Sequence, residues 1–189
     1  QLMTYTKLSG TGELSGSLIQ ANKPVQVIAG TACSLAPDDK VACDHTEESL
    51  LPAETFGKHY FVTPPTGPNG DTPGHIVRIY GNFDGTHLSY PSGTPAGAPS
   101  SLNAGQWVDL GVVQNSFEVE GDQAFAVASF QLGGSLVDPD PTDPNAVNQE
   151  GRGDPSMSYM PAVEQYRTTY VFLAPSNYAL SYADIVMPM

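Results

Sequence analysis

The run Gln123-Ala124-Phe125-Ala126-Val127-Ala128-Ser129-Phe130-Gln131-Leu132 decides the fold class of this chain. It is apolar on both faces for most of its length, which is how a strand reads when it lies mid-sheet and is covered on each side. Outward from it, strand character recurs at residues 4–8, 16–20, 24–29, 58–63, 75–80, 87–90, 106–112, 116–119, 166–173 and 179–186. Arg78 and His87 alternate with apolar neighbours, as on half-exposed strands. Gly81-Asn82-Phe83-Asp84-Gly85 and Pro91-Ser92-Gly93 are turn signals, and the first lies between two runs expected to pair as a hairpin. Helical period is confined to residues 46–51, where a short helical turn is expected. About eleven short strands at this spacing fit an all-β, two-sheet β-sandwich with long loops.

Composition agrees with that reading. The 189 residues include 19 Gly and 17 Pro, the punctuation of a chain that turns often. A chain of this length buries about 70% of its unfolded surface as one domain, and no repeat or composition break divides residues 1–189. The formal net charge is −13, from 20 acidic and 7 basic residues, which repels polyanions and excludes nucleic acid and insertion into an anionic membrane. No apolar stretch approaches the roughly 20 residues of a membrane helix. The chain opens at Gln1 without a charged segment and apolar core behind it, so it is expected to be a mature or excised segment.

Cys33 and Cys43 flank a polar, turn-forming stretch and are expected to form a local disulfide. Closing a loop of that size contributes about 2.8 kcal/mol in the chain-entropy model. A free thiol and half of a metal site are the weaker alternatives, because no second cysteine pair completes a set of four ligands.

Three segments read as long loops, 32–56, 64–74 and 134–157, and long loops in a compact domain often carry function. In the last, alternating prolines exclude regular structure, and Asp138, Asp140, Asp143 and Asn145 offer hard oxygen ligands suited to calcium. The spacing is not an EF-hand, since Asp143 stands where Gly is needed and Gln149 where a bidentate Glu is needed. The simpler reading is a solvated acidic loop. Cys43-Asp44-His45 with Glu47 and Glu48 is the densest ionisable cluster, but no Gly-x-Ser-x-Gly elbow supplies a nucleophile. Asp44 or His45 is therefore read as a structural group bonding the disulfide loop. Arg152-Gly153-Asp154 spells a tripeptide known from integrin ligands, although Asp154-Pro155-Ser156 reads more simply as a turn. Arg167, within an aromatic-rich run, is expected to be a buried structural group paired with an acidic side chain. Trp107 reads as a packing residue, with a sugar platform as the alternative.

Several segments together resemble the N-terminal domain of the IgGFc-binding protein family, found in animal mucus proteins and bacterial surface proteins. They are Leu14-Ser15-Gly16-Ser17-Leu18-Ile19-Gln20 continuing to Gly30, Cys43-Asp44-His45, Leu51-Pro52-Ala53-Glu54-Thr55-Phe56-Gly57-Lys58-His59-Tyr60-Phe61-Val62, Gly153-Asp154-Pro155-Ser156-Met157, Gln165-Tyr166-Arg167 and Phe172-Leu173-Ala174-Pro175. Phe56 stands where the family usually has Trp. The resemblance implies an extracellular β-rich module of a bacterial surface adhesin or mucus-type protein, a segment of a longer extracellular chain, without established catalytic residues. It also makes Arg-Gly-Asp incidental, since Gly153-Asp154-Pro155 belongs to the family-like run.

The sequence thus points to a non-enzymatic binding, adhesion or structural module at the cell surface, holding its loops toward a protein or glycan ligand, neighbouring domains or copies of itself. Two alternatives stand beside it: a glycan-acting hydrolase with paired carboxylates in a cleft, and a passive spacer or assembly unit joined through edge strands.

Overall fold

The computed structural model describes residues 14–40, 43–140, 142–147, 152–174, 176–177 and 180–188. In chain order the strands are β1 (Ile28–Ser34), β2 (Asp44–Ser49), β3 (Gly57–Val62), β4 (His75–Gly81), β5 (Thr86–Ser89), β6 (Ser101–Leu102), β7 (Trp107–Val113), β8 (Phe117–Gln131), β9 (Pro139–Asp140), β10 (Asp143–Val147) and β11 (Met157–Tyr159). A single helical turn, α1 (Gly134–Val137), and two short 3-10 turns, Ala53–Thr55 and Val163–Gln165, complete them.

β8 is the spine. The two runs expected at 116–119 and 123–132 form one strand of 15 residues, because Glu120, Gly121 and Asp122 bend the ladder without ending it. Along one edge β8 pairs first with β3 (Val62↔Phe117 to Gly57↔Phe125) and then with β11 (Tyr159↔Ala128 to Met157↔Phe130). Along the other it pairs first with β5 (Ser89↔Glu120) and then with β4 (Gly81↔Phe125 to His75↔Gln131). Beyond these, β6 extends β5 and β7 extends β4. The result is two curled sheet halves that share β8 and close on each other as a β-sandwich. Gly121 permits the bend, since a side chain there would meet the Phe125 ring at 2.8 Å.

Period-2 alternation places the core. Tyr60 and Val62, Val77 and Ile79, Leu88, and Phe117, Val119, Phe125 and Val127 point between the halves and form one buried cluster, each such side chain contributing about 1.5–3 kcal/mol. The Tyr60 hydroxyl donates to the Phe125 carbonyl at 2.6 Å and accepts from the Gly57 N–H at 3.0 Å. On the opposite face of β4 and β8, Ile76, Leu132, Val137 and Ala36 form a second cluster, joined by Phe130. The run that reads as covered on both faces is covered on both faces.

Several expectations are corrected. Residues 44–49 form strand, not a helical turn, because they pair with β1 from Ile28↔Ser49 to Ser34↔Asp44. The expected loop 32–56 is therefore largely a hairpin. β4 and β5 do not pair with each other; each finds a longer partner in β8. The Asp-Pro loop carries a short irregular ladder, Asp143↔Asp140 and Val147↔Pro139. Prolines cannot donate to a ladder, yet their carbonyls still accept and the non-proline N–H groups between them still donate. Residues 16–20, 166–173 and 180–186 have strand periodicity but no ladder partner among the described residues. Run 4–8 lies outside the described residues.

Candidate functional site

The disulfide Cys33–Cys43 closes the β1–β2 hairpin, with Cα atoms 4.9 Å apart. His45 is exposed on it, its Nε2 at 3.3 Å from Glu47 Oε2. Asp44 faces Asp154: burial, then the Asp44 charge and the hydrogen bond between the two carboxyl groups, push the Asp154 carboxyl above its ordinary range. The Cys-Asp-His and Gly-Asp-Pro segments, distant in sequence, thus meet through a carboxyl pair.

The acidic loop is anchored at its start. Asp138 is 4% exposed; its Oδ2 accepts from Arg152 Nε at 3.0 Å and its Oδ1 from Asn69 Nδ2 at 3.1 Å. The side chains of Asp140, Asp143 and Asn145, the other candidate calcium ligands, lie outside the described residues. Gly153 has φ +87°, and a Cβ there would lie 2.1 Å from Val137 Cγ2, so the chain passes the α1 turn too closely for any other residue. Both charged ends of Arg152-Gly153-Asp154 are engaged in the fold, Arg152 with Asp138 and Asp154 with Asp44.

Arg167 is exposed rather than buried, and its guanidinium donates to the carbonyls of Glu164 (3.2 Å) and Tyr166 (2.8 Å) instead of to a carboxylate. Because its run lacks a ladder partner, the local backbone offers it free acceptors. Trp107 packs: the Arg78 guanidinium lies 4.8 Å from its ring centre and 5.0 Å from that of Phe130, with Arg78 Nε on Asp109 at 2.9 Å. Trp107 also lines a shallow hollow of about 430 Å³ with Ser101, Gly105 and Gln106.

Sequence reading missed one polar constellation. On the solvent face of the β3–β8–β5 half, Glu118, Glu120 and Asp122 succeed one another along β8, flanked by His59 on β3 and His87 on β5. Register puts His59 opposite Glu120 and Phe61 opposite Glu118. His59 Nε2 is 2.6 Å from Glu118 Oε1 and 4.0 Å from Glu120 Oε1, and the Phe61 ring packs 4.9 Å from the imidazole. At the other end of the row, the His87 N–H donates to Asp122 at 2.8 Å and holds that carboxyl below the usual range. His87, Ser89, Glu120 and Asp122 line a second hollow of about 300 Å³. Its two carboxylates rise side by side from one strand and do not face each other across a cleft. The available signal was Glu118-x-Glu120-x-Asp122, three acids on one face of a strand next to a histidine-bearing strand.

The family whose model matches is described as "IgGFc binding protein", and the match runs over residues 1–188. The chain belongs to the IgGFc-binding family. Among curated proteins it is 26% identical over 172 residues to the human "IgGFc-binding protein"; the alignment covers 90% of this chain and 3% of that protein's length. This relative is human, and nothing in the match points to a bacterial source. No solved structure matches the chain. Among the described residues no helix is long and apolar enough to cross a membrane. Within the family-like runs, Phe56 stacks on Tyr159 at 6.3 Å and meets Tyr80 edge-on at 6.3 Å. The Lys58 N–H donates to Glu164 Oε1 at 2.8 Å, clamping the segment 51–62 to the segment 163–167.

Proposed function

We propose that this domain is an extracellular protein-binding module of an adhesin or mucus-type protein, docking a polypeptide partner through apolar chain left outside the sandwich. The observation that carries the reading is the run Tyr170-Val171-Phe172-Leu173, in which Val171 is 94% and Leu173 97% exposed. Contiguous exposed apolar surface marks interaction sites, and an unpaired extended run can add as a strand to a partner's sheet edge. The disulfide supports an oxidising compartment. The name of the human relative makes the Fc part of immunoglobulin G the first ligand to test. The carboxylates of the second hollow, sharing one strand, do not favour the hydrolase reading.

The test is interferometry of the folded domain on immobilised immunoglobulin G Fc and on purified mucin glycoprotein. Saturable binding weakened by Val171→Asp and Leu173→Asp is expected. Binding unaffected by the double variant would relocate the interface away from this run, and no binding to either surface would end the proposal.

A further inference from the structure

We propose that His59, Glu118 and Glu120 form a binding site for one divalent transition-metal ion of the zinc class. The three donor atoms lie within 4.8 Å of one another. Donors around one tetrahedral ion at ordinary zinc bond lengths sit about 3.4 Å apart. The observed 2.6 Å and 4.0 Å from His59 Nε2 to the two carboxylates bracket that value, so side-chain rotations well under a rotamer change complete the set.

The backbone presents this arrangement before any ion arrives. β3 and β8 pair antiparallel, with His59 directly across from Glu120 and diagonal to Glu118, positions whose side chains reach each other. Phe61 holds the imidazole from one side. The His59 and Glu118 side chains are 27% and 23% exposed, and Glu120, at 49%, is the open edge.

Charge supplies the second argument. Two carboxylates project together from one strand face, with Asp122 next in the row, on a chain whose net charge is already −13. His59 Nε2 carries at most one proton, so by hydrogen bonding it serves Glu118 or Glu120 but not both. A divalent ion bound by neutral imidazole and two carboxylates satisfies all three donors and cancels both charges. Imidazole among the donors selects zinc, or a neighbouring late transition metal such as cobalt or nickel, over calcium, magnesium and manganese, which suit oxygen ligands. Three protein ligands facing solvent leave a coordination position for a group from a partner.

The experiment is calorimetric titration of zinc chloride into the folded, tag-free, metal-stripped domain, with cobalt absorption spectra to report coordination. Expected are one equivalent bound, binding at least about tenfold weaker in both His59→Ala and Glu120→Gln, and no change in His45→Ala or His87→Ala. Glu120→Gln alters an exposed side chain, so its melting temperature should match the parent and separate ligand loss from unfolding. No zinc binding by the parent, or binding that depends on His87 or His45 instead, would overturn the assignment. Full affinity in Glu120→Gln would also overturn it, by reducing the contact to a His59–Glu118 hydrogen bond.

Discussion

His75 sits at the start of β4, is 0% exposed, and has Nδ1 at 2.7 Å from Ser129 Oγ, while Nε2 has no hydrogen-bond partner among the described residues. Burial lowers its pKa from 6.5 to about 4. The folded protein therefore holds a neutral ring where the unfolded chain binds a proton. Because the folded value is the lower one, stability is intact above pH 6.5, falls as pH drops from there to about 4, and levels off below. With these two values, the loss from His75 alone is about 2 kcal/mol between pH 7 and pH 5, and about 3 kcal/mol by pH 4. The assay is urea unfolding at pH 7, 6 and 5, comparing the parent with His75→Asn. Asn keeps a polar group near the Nδ1 position and removes the titration. His75→Asn should start less stable at pH 7 but lose about 2 kcal/mol less than the parent on going to pH 5. Parallel pH profiles for the two proteins would refute the reasoning, because the acid sensitivity would then belong to carboxylates shared by both.

Arg152→Ala leaves the buried Asp138 carboxylate without its cation and should destabilise the domain by about 3 kcal/mol, read by denaturant midpoint; a loss under about 1 kcal/mol would mean the pair is dispensable. Arg78→Lys gives up the planar stack between Trp107 and Phe130 and should cost about 1 kcal/mol in thermal unfolding, with indole fluorescence shifting as the ring loses its cover. Replacing Cys33 and Cys43 by Ser removes about 2.8 kcal/mol of loop-closure stabilisation from the β1–β2 hairpin alone. Limited proteolysis should then cut near residues 34–43 while the β3–β8 core persists, and simultaneous loss of the core would show that the hairpin is integral to it.

Much of the fold was legible because strand period and turn chemistry are local. β3, β4, β5 and β7 lie within a residue or so of their sequence-read positions, and the doubly apolar run is the central strand. Boundaries failed where pairing decides. Glu120-Gly121-Asp122 reads as a break, yet flanking partners on both edges carry the ladder through it. Residues 46–51 read as helical by spacing, yet β1 captures them. Residues 166–173 alternate like a strand but have no ladder partner among the described residues. Asp138 reads as an exposed ligand, yet Arg152 and Asn69 draw it inward.

The sequence alone determined the class: apolar alternation broken by Gly and Pro, two cysteines across a short polar turn, and an acidic surface hostile to polyanions, all properties of residues near one another in the chain. Only the tertiary structure decided which side chains meet. Bringing His59 against Glu118 and Glu120, Asp44 against Asp154, and Arg152 against Asp138 depends on strand register and loop closure over long separations, and no local pattern encodes these because either partner reads the same in its absence.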